Sequence, residues 1–369
     1  MAQIQFKKNW DETIKRFDDW FQHKNTGRPL LNILAKREKP LFEEYTVESF
    51  DDDADSYLNV EKNYARIMNE YNAYEPVAEA FPQFSMNLGA GSMALYLGAS
   101  PKFAPDTIWF QPCIEDYTQA LPLHYDPDNI WWVRHQEILR RQVELAKNSD
   151  LMVCIPDIVE NIDILCSMRD SQTCCFDFYD YPDELRLALK NIEDTYMQYY
   201  DPIYNIVKTE RDCCSYTAFN ILGTGKTAKL QCDCSALLSP SQYEEYILPS
   251  LARQCDEIKN TLYHLDGPDC LVHVDAIMKL DKLDALQWTP GFGNDQTGSE
   301  KWFPLYKTVK EHGKGLWIGL KMYELEEAIY HADQIVKAVG PEGIFFNFPK
   351  MDMEDAKRLI DKAETQWRF

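Results

Sequence analysis

The stretch from Leu262 to Thr289 reads LYHLDGPDCLVHVDAIMKLDKLDALQWT. Its two apolar ends, Leu262–Asp266 and Ala285–Thr289, predict strands, and the segment Cys270–Leu280 between them predicts a helix. A strand, a helix and a second strand at this spacing are typical of a parallel βαβ unit. We therefore interpret the rest of the chain by asking how often this unit recurs.

The same alternation extends along the chain on both sides of this stretch. Further strands are predicted at Leu30–Ala35, Leu151–Pro156, Lys229–Cys234, Leu316–Leu320 and Ile344–Phe348, and an extra hairpin at Cys213–Leu222. Helices are predicted at Trp131–Lys147, Pro182–Lys208, about 298–312, and about 323–339, with a closing helix near Asp352. This count gives about eight core strands.

Two segments do not fit the repeating unit. Before residue 29, Trp10, Ile14, Phe17 and Phe21 form one apolar stripe, which predicts an N-terminal amphipathic helix that stops at 25–27. The glycine-rich segment 87–99 lacks the Lys-Ser/Thr of a phosphate loop, so it predicts a tight structural loop. Residues 104–128 form a loop-like insertion.

A barrel is preferred to an open doubly wound sheet. The open sheet usually carries a glycine-rich turn after its first strand, whereas here that strand runs into Lys36, Arg37 and Glu38. A barrel needs roughly 250 residues and tolerates insertions. The prediction is an α/β protein with one domain over residues 1–369: a (β/α)8 TIM barrel with an N-terminal helical extension (1–29) and loop insertions.

Composition excludes several classes of function. The net charge of −22 disfavours nucleic acid and acidic membrane surfaces as partners, and 45% apolar residues exclude a disordered chain. No apolar run approaches the ~20 residues of a membrane span. The start, MAQIQFKKNWDETIKRF, has no apolar signal core, and eleven cysteines in a long chain predict reduced thiols. We therefore expect a cytoplasmic protein.

Polar residues interrupt the apolar runs where the predicted strands end. They are Lys36, Arg37, Asp157, Cys232, Asp233, Cys234, Tyr263, His264, Asp266, Gln287, Trp288, Lys321 and Asn347. In a barrel the chemistry occurs at the carboxyl ends of the strands. Burying such groups unpaired costs a few kcal/mol each, so we expect them to line a cavity or to pair with one another.

His264 and Asp266 are the sharpest pair, because residues i and i+2 of a strand point to the same face. They could bind a metal, form an acid–base pair, or only brace the strand end. Cys232 and Cys234 share a face in the same way. These four residues could together hold zinc, or the cysteines could be small packed residues.

Other candidates carry charge or aromatic surface. Asp157 and Asp233 are predicted to meet at one mouth, where a close approach would raise one pKa, or they could be helix caps. Arg28, Arg37, Arg169 and Arg211 could hold substrate carboxylates, or form ordinary salt bridges. Trp109, Trp288 and Phe348 could form an aromatic wall, or belong to the core.

Several segments resemble the uroporphyrinogen decarboxylase (URO-D) superfamily. They are YHLDGPDCLVHVDAIMKLDKLDALQWTPG (263–291), LQCDCSALLSPSQYEEYILPSL (230–251), NTGRPLLNI (25–33), NLGAGSMALYLGASPKF (87–103) and DTIWF (106–110). The resemblance covers nearly the whole chain and is strongest to the bacterial branch of corrinoid-dependent methyltransferases and trimethylamine corrinoid protein-like proteins. It implies the (β/α)8 barrel.

The resemblance also implies two activities, and the chain departs from both residue patterns. The methyltransferases carry a methyl group between a corrinoid and a thiol, with zinc held by His-x-Cys and a later Cys. His264 matches their histidine, Asp266 replaces the first cysteine, and 347–349 lacks the second. The decarboxylases open with an arginine-rich motif, of which Arg37 alone remains, and the late histidine is absent.

The leading expectation is methyl or one-carbon transfer involving a corrinoid or a small methylated compound. His264 would be a metal ligand or acid–base group with Asp266 as its partner, and Asp233 and Asp157 would orient the substrate. Substrate contacts are expected from Arg37, Trp109, Cys232, Tyr263, Gln287, Trp288, Lys321 and Asn347. Zinc and a corrinoid on a partner protein are the cofactors that this implies.

Two alternatives stay open. The first is a cofactor-free decarboxylase, in which Arg37 holds a carboxylate in an arginine-lined cleft. The second is a non-catalytic protein that binds a corrinoid or another small ligand. The sequence leaves a homodimer open as well.

Overall fold

The computed structural model describes residues 4–24 and 26–368. Asn25, within the predicted stop of the first helix, and residues 1–3 of the predicted extension therefore lie outside the described residues. The strands are β1 Leu30–Lys36, β2 Tyr74–Ala78, β3 Gln83–Phe84, β4 Ser100–Phe103, β5 Ile108–Gln111, β6 Met152–Ile155, β7 Cys213–Tyr216, β8 Leu222–Thr224, β9 Thr227–Gln231, β10 Asn260–Asp266, β11 Ala285–Thr289, β12 Gly315–Gly319, β13 Ile344–Asn347 and β14 Met351–Asp352.

The helices alternate with these strands over much of the chain. They are α1 Trp10–Phe21, α2 Asp53–Leu58, α3 Val60–Ala73, α4 Met93–Tyr96, α5 Tyr117–Ala120, α6 Ile130–Ala146, α7 Ile162–Arg169, α8 Ser171–Asp180, α9 Pro182–Val207, α10 Pro240–Gln242, α11 Leu248–Glu257, α12 Val274–Met278, α13 Phe303–Glu311, α14 Leu325–Val339 and α15 Met353–Gln366. Turns of 3-10 helix span Asp233–Leu237, Pro268–His273 and Glu300–Trp302, and a π-helical turn spans Tyr243–Ile247.

A parallel sheet forms the centre of the molecule. Its strands run in the order β14-β1-β13-β12-β11-β10-β9, all parallel, and β2 pairs with β1 in the antiparallel sense. A second sheet has the order β3-β6-β7-β8, in which only β8 is antiparallel. The predicted α/β class with parallel βαβ units is therefore confirmed, and so is the extra hairpin, which is β7 and β8.

A closed eight-stranded barrel is not confirmed. Within residues 4–24 and 26–368, the strands form three sheets, and no ladder joins the two larger ones. The strand edges through which these two sheets could join are already paired. β2 pairs along the edge of β1 that faces away from β13, and β8 pairs along the edge of β7 that faces away from β6. The antiparallel strands β2 and β8 thus stand where a barrel would continue its parallel ladder.

The predicted strand Lys229–Cys234 is shorter than expected. It ends at Gln231, and the chain turns into the 3-10 helix Asp233–Leu237. The backbone N–H groups of Asp233 and Cys234 both donate to the carboxylate of Asp163, each at 2.9 Å, so they leave the strand ladder. Cys232 and Cys234 therefore do not share the face of a strand, and that part of the prediction is wrong.

Aromatic residues of α1 close the amino-terminal end of the central sheet. The rings of Phe17 and Trp20 lie 5.3 and 5.9 Å from the ring of Phe345, which is near the start of β13. The indole N–H of Trp20 also donates to the carbonyl of Gly343 at 2.8 Å. This packing leaves the carboxyl ends of the strands as the open end. No helix in the described part of the chain has both the length and the apolar content to cross a membrane.

A buried carboxylate joins α1 to the first strand. Glu79 is 2% exposed, and its carboxylate contacts Arg28 Nη1 at 3.0 Å and Arg16 Nε at 2.6 Å. It also accepts the backbone N–H of Leu31 at 2.7 Å. Its charge is therefore fully paired, and removing it would leave the two guanidinium groups without their counter-ion.

We expect Glu79→Gln to destabilise the protein by about 3 kcal/mol, because it breaks a buried ion pair and leaves its partners charged. The free energy of unfolding, measured by urea titration, checks this. Glu364→Gln is the matched control, since Glu364 approaches the same Arg28 at 3.9 Å but is about half exposed. The control should cost less than about 1 kcal/mol. Equal losses in both variants would contradict the assignment.

Candidate active site

A cleft of about 510 Å³ opens at the carboxyl ends of β9 and its neighbours. Its lining residues are Ala90, Thr107, Ile108, Trp109, Phe110, Asp163, Cys166, Ser167, Ser171, Gln231, Asp233, Cys234 and Leu237. One wall comes from the β4–β5 hairpin, and the other comes from α7 and the turn after β9. The size is typical of a site for a small molecule.

The imidazole of His264 is held by the next strand. His264 on β10 is the register partner of Gln287 on β11, and its Nδ1 is hydrogen-bonded to Gln287 Oε1. The amide of Gln287 is oriented by its Nε2, which donates to Thr289 Oγ1 at 2.9 Å. Because the Gln287 oxygen can only accept, Nδ1 carries the proton, and Nε2 is left with a free lone pair.

His264 is neutral at physiological pH. Burial lowers the pKa of its imidazole to about 4, and the nearby ammonium of Lys229 contributes in the same direction. Asp266, two residues later on the same face of β10, places Oδ2 3.8 Å from His264 Nε2. Burial raises the pKa of the Asp266 carboxyl above its ordinary value. The predicted pairing of His264 with Asp266 is thus present, with an unprotonated nitrogen turned toward a carboxylate.

Asp233 completes the group from the neighbouring turn. One oxygen of Asp233, one nitrogen of His264 and one oxygen of Asp266 lie within 4.8 Å of one another. Burial raises the pKa of Asp233 to about 7, and the carboxylate of Asp163 adds to the shift. Two carboxylates and a neutral imidazole at this spacing are a candidate metal centre.

Asp163 on α7 determines where Asp233 lies. Its carboxylate accepts the backbone N–H groups of Asp233 and Cys234. The side-chain amide of Gln231 donates to Asp163 Oδ2 and to Asp233 Oδ2, both at 3.0 Å. Burial raises the pKa of Asp163, and the hydrogen bonds that it accepts oppose that shift. Neither Asp163 nor Gln231 was among the site residues predicted from the sequence.

A buried lysine underlies this network. Lys229 on β9 is 3% exposed, and its Nζ lies 2.7 Å from Asp157 Oδ1. The hydroxyl of Tyr216 donates to the same oxygen at 3.0 Å. Asp157 is therefore engaged by Lys229 and Tyr216, and its charge is only the smallest of the contributions that raise the pKa of Asp233. Lys229 was also not predicted as a site residue, although the sequence shows a charged residue between the apolar Ala228 and Leu230 of a predicted strand.

The tip of the β7–β8 hairpin covers His264. The ring of Phe219 lies 5.1 Å from the imidazole and 5.1 Å from the ring of Trp317 on β12. The indole N–H of Trp317 donates to the carbonyl of Phe219 at 2.7 Å, and Phe219 and Asn220 adopt φ values of +63° and +50°. The hairpin tip thus shields one face of the imidazole from solvent.

Two predicted residues lie on the opposite face of their strands. The Tyr263 hydroxyl is 3.0 Å from the Tyr243 hydroxyl, and Trp288 packs against Trp302 with ring centroids 5.0 Å apart. Each is offset by one position from a site residue, and successive side chains of a strand point to opposite faces. Tyr263 and Trp288 are therefore buried against the helices and not in the cleft.

Three other predicted residues lie away from His264. Asn347 on β13 is buried, and its Oδ1 accepts from Asn32 Nδ2 of β1 at 2.8 Å. Lys321 is exposed after β12. Phe348 stacks on Trp367, so it belongs to the core. In contrast, Trp109 lines the cleft and is 63% exposed.

Cys232 and Cys234 lie apart from the pair formed by His264 and Asp266. Cys232 is 2% exposed, and burial raises the pKa of its thiol well above the ordinary value. Cys234 directs its Sγ to Cys166 Sγ, 3.3 Å away, and lines the cleft. The four-residue zinc set that the sequence suggested is not assembled; Asp233 stands in place of the two cysteines.

The arginines are engaged elsewhere. Arg37 Nη1 contacts Glu75 at 2.8 Å, and its other nitrogens donate to backbone carbonyls. Arg28 pairs with Glu79, Arg169 pairs with Asp177, and Arg211 forms an exposed pair on α1; the lining of the cleft contains no arginine among the described residues. Each guanidinium already has a carboxylate, so none is placed to bind a substrate carboxylate.

No model of a known protein family matches the chain, and no curated protein matches it. Among solved structures, the chain is similar to a methyltransferase from Methanosarcina mazei, with a TM-score of 0.58 and 10% sequence identity. The similarity covers 95% of this chain and 98% of that chain. At this identity it shows a shared overall fold, and membership of the uroporphyrinogen decarboxylase superfamily stays a prediction.

The raised pKa of Asp233 predicts a pH-dependent stability in the metal-free protein. Since the folded-state pKa of about 7 lies above the ordinary value, the folded state holds its proton longer, and this contribution to stability is lost as pH rises from about 4 to about 7. Asp233→Asn removes the cost of the charge. The variant should therefore gain stability over the wild type at about pH 8 but not at about pH 4.

Urea denaturation at the two pH values measures this difference. Asp269→Asn serves as the control, because Asp269 is an exposed carboxylate close in sequence to the end of β10, which carries Asp266. A gain in stability of equal size in the control, or a gain that does not depend on pH, would show that the pKa of Asp233 is not raised in the folded protein.

Proposed function

We propose that the protein is a methyl-transferring enzyme of the uroporphyrinogen decarboxylase superfamily, built on the (β/α)8 plan. A divalent metal would be held by Asp233, His264 and Asp266. The observation that carries this proposal is the convergence of these three side chains to within 4.8 Å beside the cleft. The fold shared with a methyltransferase supports it at a coarse level.

The donor set decides which metal fits. The thiolate site of the resembling methyltransferases does not fit, because Asp266 replaces one cysteine and the segment 347–349 provides none. Two carboxylates and one imidazole instead suit zinc or a harder divalent ion with open coordination positions. Such an ion, when bound, supplies Lewis acidity that makes a substrate atom a better nucleophile or leaving group.

Hydrogen bonds within the protein hold these three side chains in position without a bound metal. Gln287 fixes the His264 tautomer, so that Nε2 offers its lone pair at neutral pH. Gln231 and Asp163 fix the turn that carries Asp233. Because Gln231 is hydrogen-bonded to Asp163, and Gln287 is held by Thr289, the three ligands need little rearrangement on binding.

The walls of the cleft suit a small methylated substrate. Ile108, Trp109 and Phe110 contribute an apolar side opposite Asp233 and Gln231. An apolar wall can contact a methyl group and exclude water while the polar wall orients the rest of the molecule. We propose that the second reactant is a thiol or a corrinoid presented by a partner protein at the open mouth.

The decarboxylase alternative receives less support. It requires Arg37 in the cleft to hold a carboxylate, and Arg37 is instead bonded to Glu75. The cleft lining named above contains acidic, aromatic and small residues and no described arginine. An anionic polycarboxylate would therefore meet repulsion there.

Metal binding gives the first test. We expect purified, metal-stripped protein to bind about one Zn²⁺ per chain in calorimetric titration, and His264→Ala and Asp266→Asn to weaken it about 100-fold, because each removes a direct ligand. Gln287→Leu should weaken binding about tenfold, because it frees the tautomer that Gln287 fixes. Asp269→Asn is the control and should bind like the wild type.

The reaction is tested with methylcobalamin and a small thiol, followed by the change in corrinoid absorbance on demethylation. Zinc-loaded wild type should accelerate transfer, and His264→Ala should reduce the rate by at least about 100-fold. Absence of metal binding in all preparations would refute the metal centre. Metal binding without transfer from any methylated compound would favour the ligand-carrying alternative.

A further inference from the structure

A second group of reactive side chains lies in the same cleft, apart from the carboxylates and the imidazole. The Sγ atoms of Cys166 on α7 and Cys234 in the turn after β9 are 3.3 Å apart. Both residues line the cleft, so both are reachable from it. The thiol of Cys174 on α8 is a further hydrogen-bond partner of Cys166. We call these three residues the thiol cluster.

The fold brings the thiol cluster together through Asp163. Cys166 follows Asp163 by three residues in α7, so both lie on one face of that helix. The Asp163 carboxylate holds the backbone N–H of Cys234 at 2.9 Å, which places the Cys234 side chain on the same helix face. Cys174 is fully buried on the next helix, behind Cys166. Two separate elements, α7 and the turn after β9, therefore meet at the Cys166 and Cys234 sulfur atoms.

We propose that the thiol cluster is a binding site for a soft, thiophilic d10 metal ion such as Cu(I) or Cd(II), with Cys166 and Cys234 as its two ligands. Thiolates select such ions over the harder ones that carboxylates prefer. Two metal–sulfur bonds of about 2.3 Å can join sulfur atoms up to about 4.6 Å apart. The observed separation of 3.3 Å is within that reach.

The chemistry needs no oxidant or reductant. Each ligating thiol releases its proton to the buffer and forms one sulfur–metal bond, while the ion keeps its charge state. A bound ion would tie α7 to the turn that carries Asp233, and it would occupy space beside Gln231 in the cleft.

Cadmium is the probe for this site in the reduced, metal-stripped full-length protein. We expect about one Cd²⁺ per chain to produce the ultraviolet thiolate-to-cadmium charge-transfer absorption. Cys166→Ser and Cys234→Ser should each weaken this signal at least about tenfold, because each removes a primary thiolate. Cys113→Ser is the matched control, since Cys113 is an exposed free thiol outside the cluster, and it should leave the signal unchanged.

Two further measurements keep the test decisive. The double variant His264→Ala/Asp266→Asn should retain the cadmium signal, which separates this site from the carboxylate and imidazole centre. In wild-type protein, bound Cd²⁺ should protect Cys166 and Cys234, but not Cys113, from maleimide labelling read by mass spectrometry. A signal that persists in both serine variants, or labelling of Cys166 and Cys234 unaffected by cadmium, would overturn the proposal.

Discussion

The site depends on the hydrogen bonds that the Asp163 carboxylate accepts from the turn after β9. By accepting two successive backbone N–H groups, Asp163 ends β9 and replaces strand pairing with a tight turn. Asp233 then faces His264, and Cys234 faces Cys166. One buried carboxylate therefore positions both groups of candidate ligands, and the hydrogen bonds that it accepts offset part of the cost of burying it.

The charges around this turn are arranged in layers. Lys229 is deepest and is paired with Asp157, whereas Gln231, Asp163 and Asp233 line the cleft, and His264 and Asp266 lie beside Asp233. The side chain of Gln231 connects the two layers, because its oxygen accepts from Lys229 and its amide donates to Asp163 and Asp233. A cation held by Asp233, His264 and Asp266 would offset the burial, and the repulsion from Asp163, that raise the pKa of Asp233.

Local patterns in the sequence predicted the parallel βαβ units, the extra hairpin, and the pairing of His264 with Asp266. These features depend on periodicity and strand alternation, which neighbouring residues encode. The missed residues depend on contacts between distant segments. Asp163 reaches a turn some seventy residues away, and no local pattern indicates that it ends β9. Tyr263 and Trp288 were predicted wrongly because each is adjacent in its strand to a site residue, and successive side chains of a strand point to opposite faces.

The buried amide pair of Asn32 and Asn347 has an evolutionary consequence. Asn347 lies in the segment where the resembling methyltransferases carry a metal-binding cysteine, and it accepts a hydrogen bond from Asn32. Replacing Asn347 alone by Cys would leave the Asn32 amide without its acceptor in the interior, at a cost of about 1–3 kcal/mol. The two positions are therefore expected to change together. A thiol introduced at position 347 by a single substitution would arise only in a less stable protein.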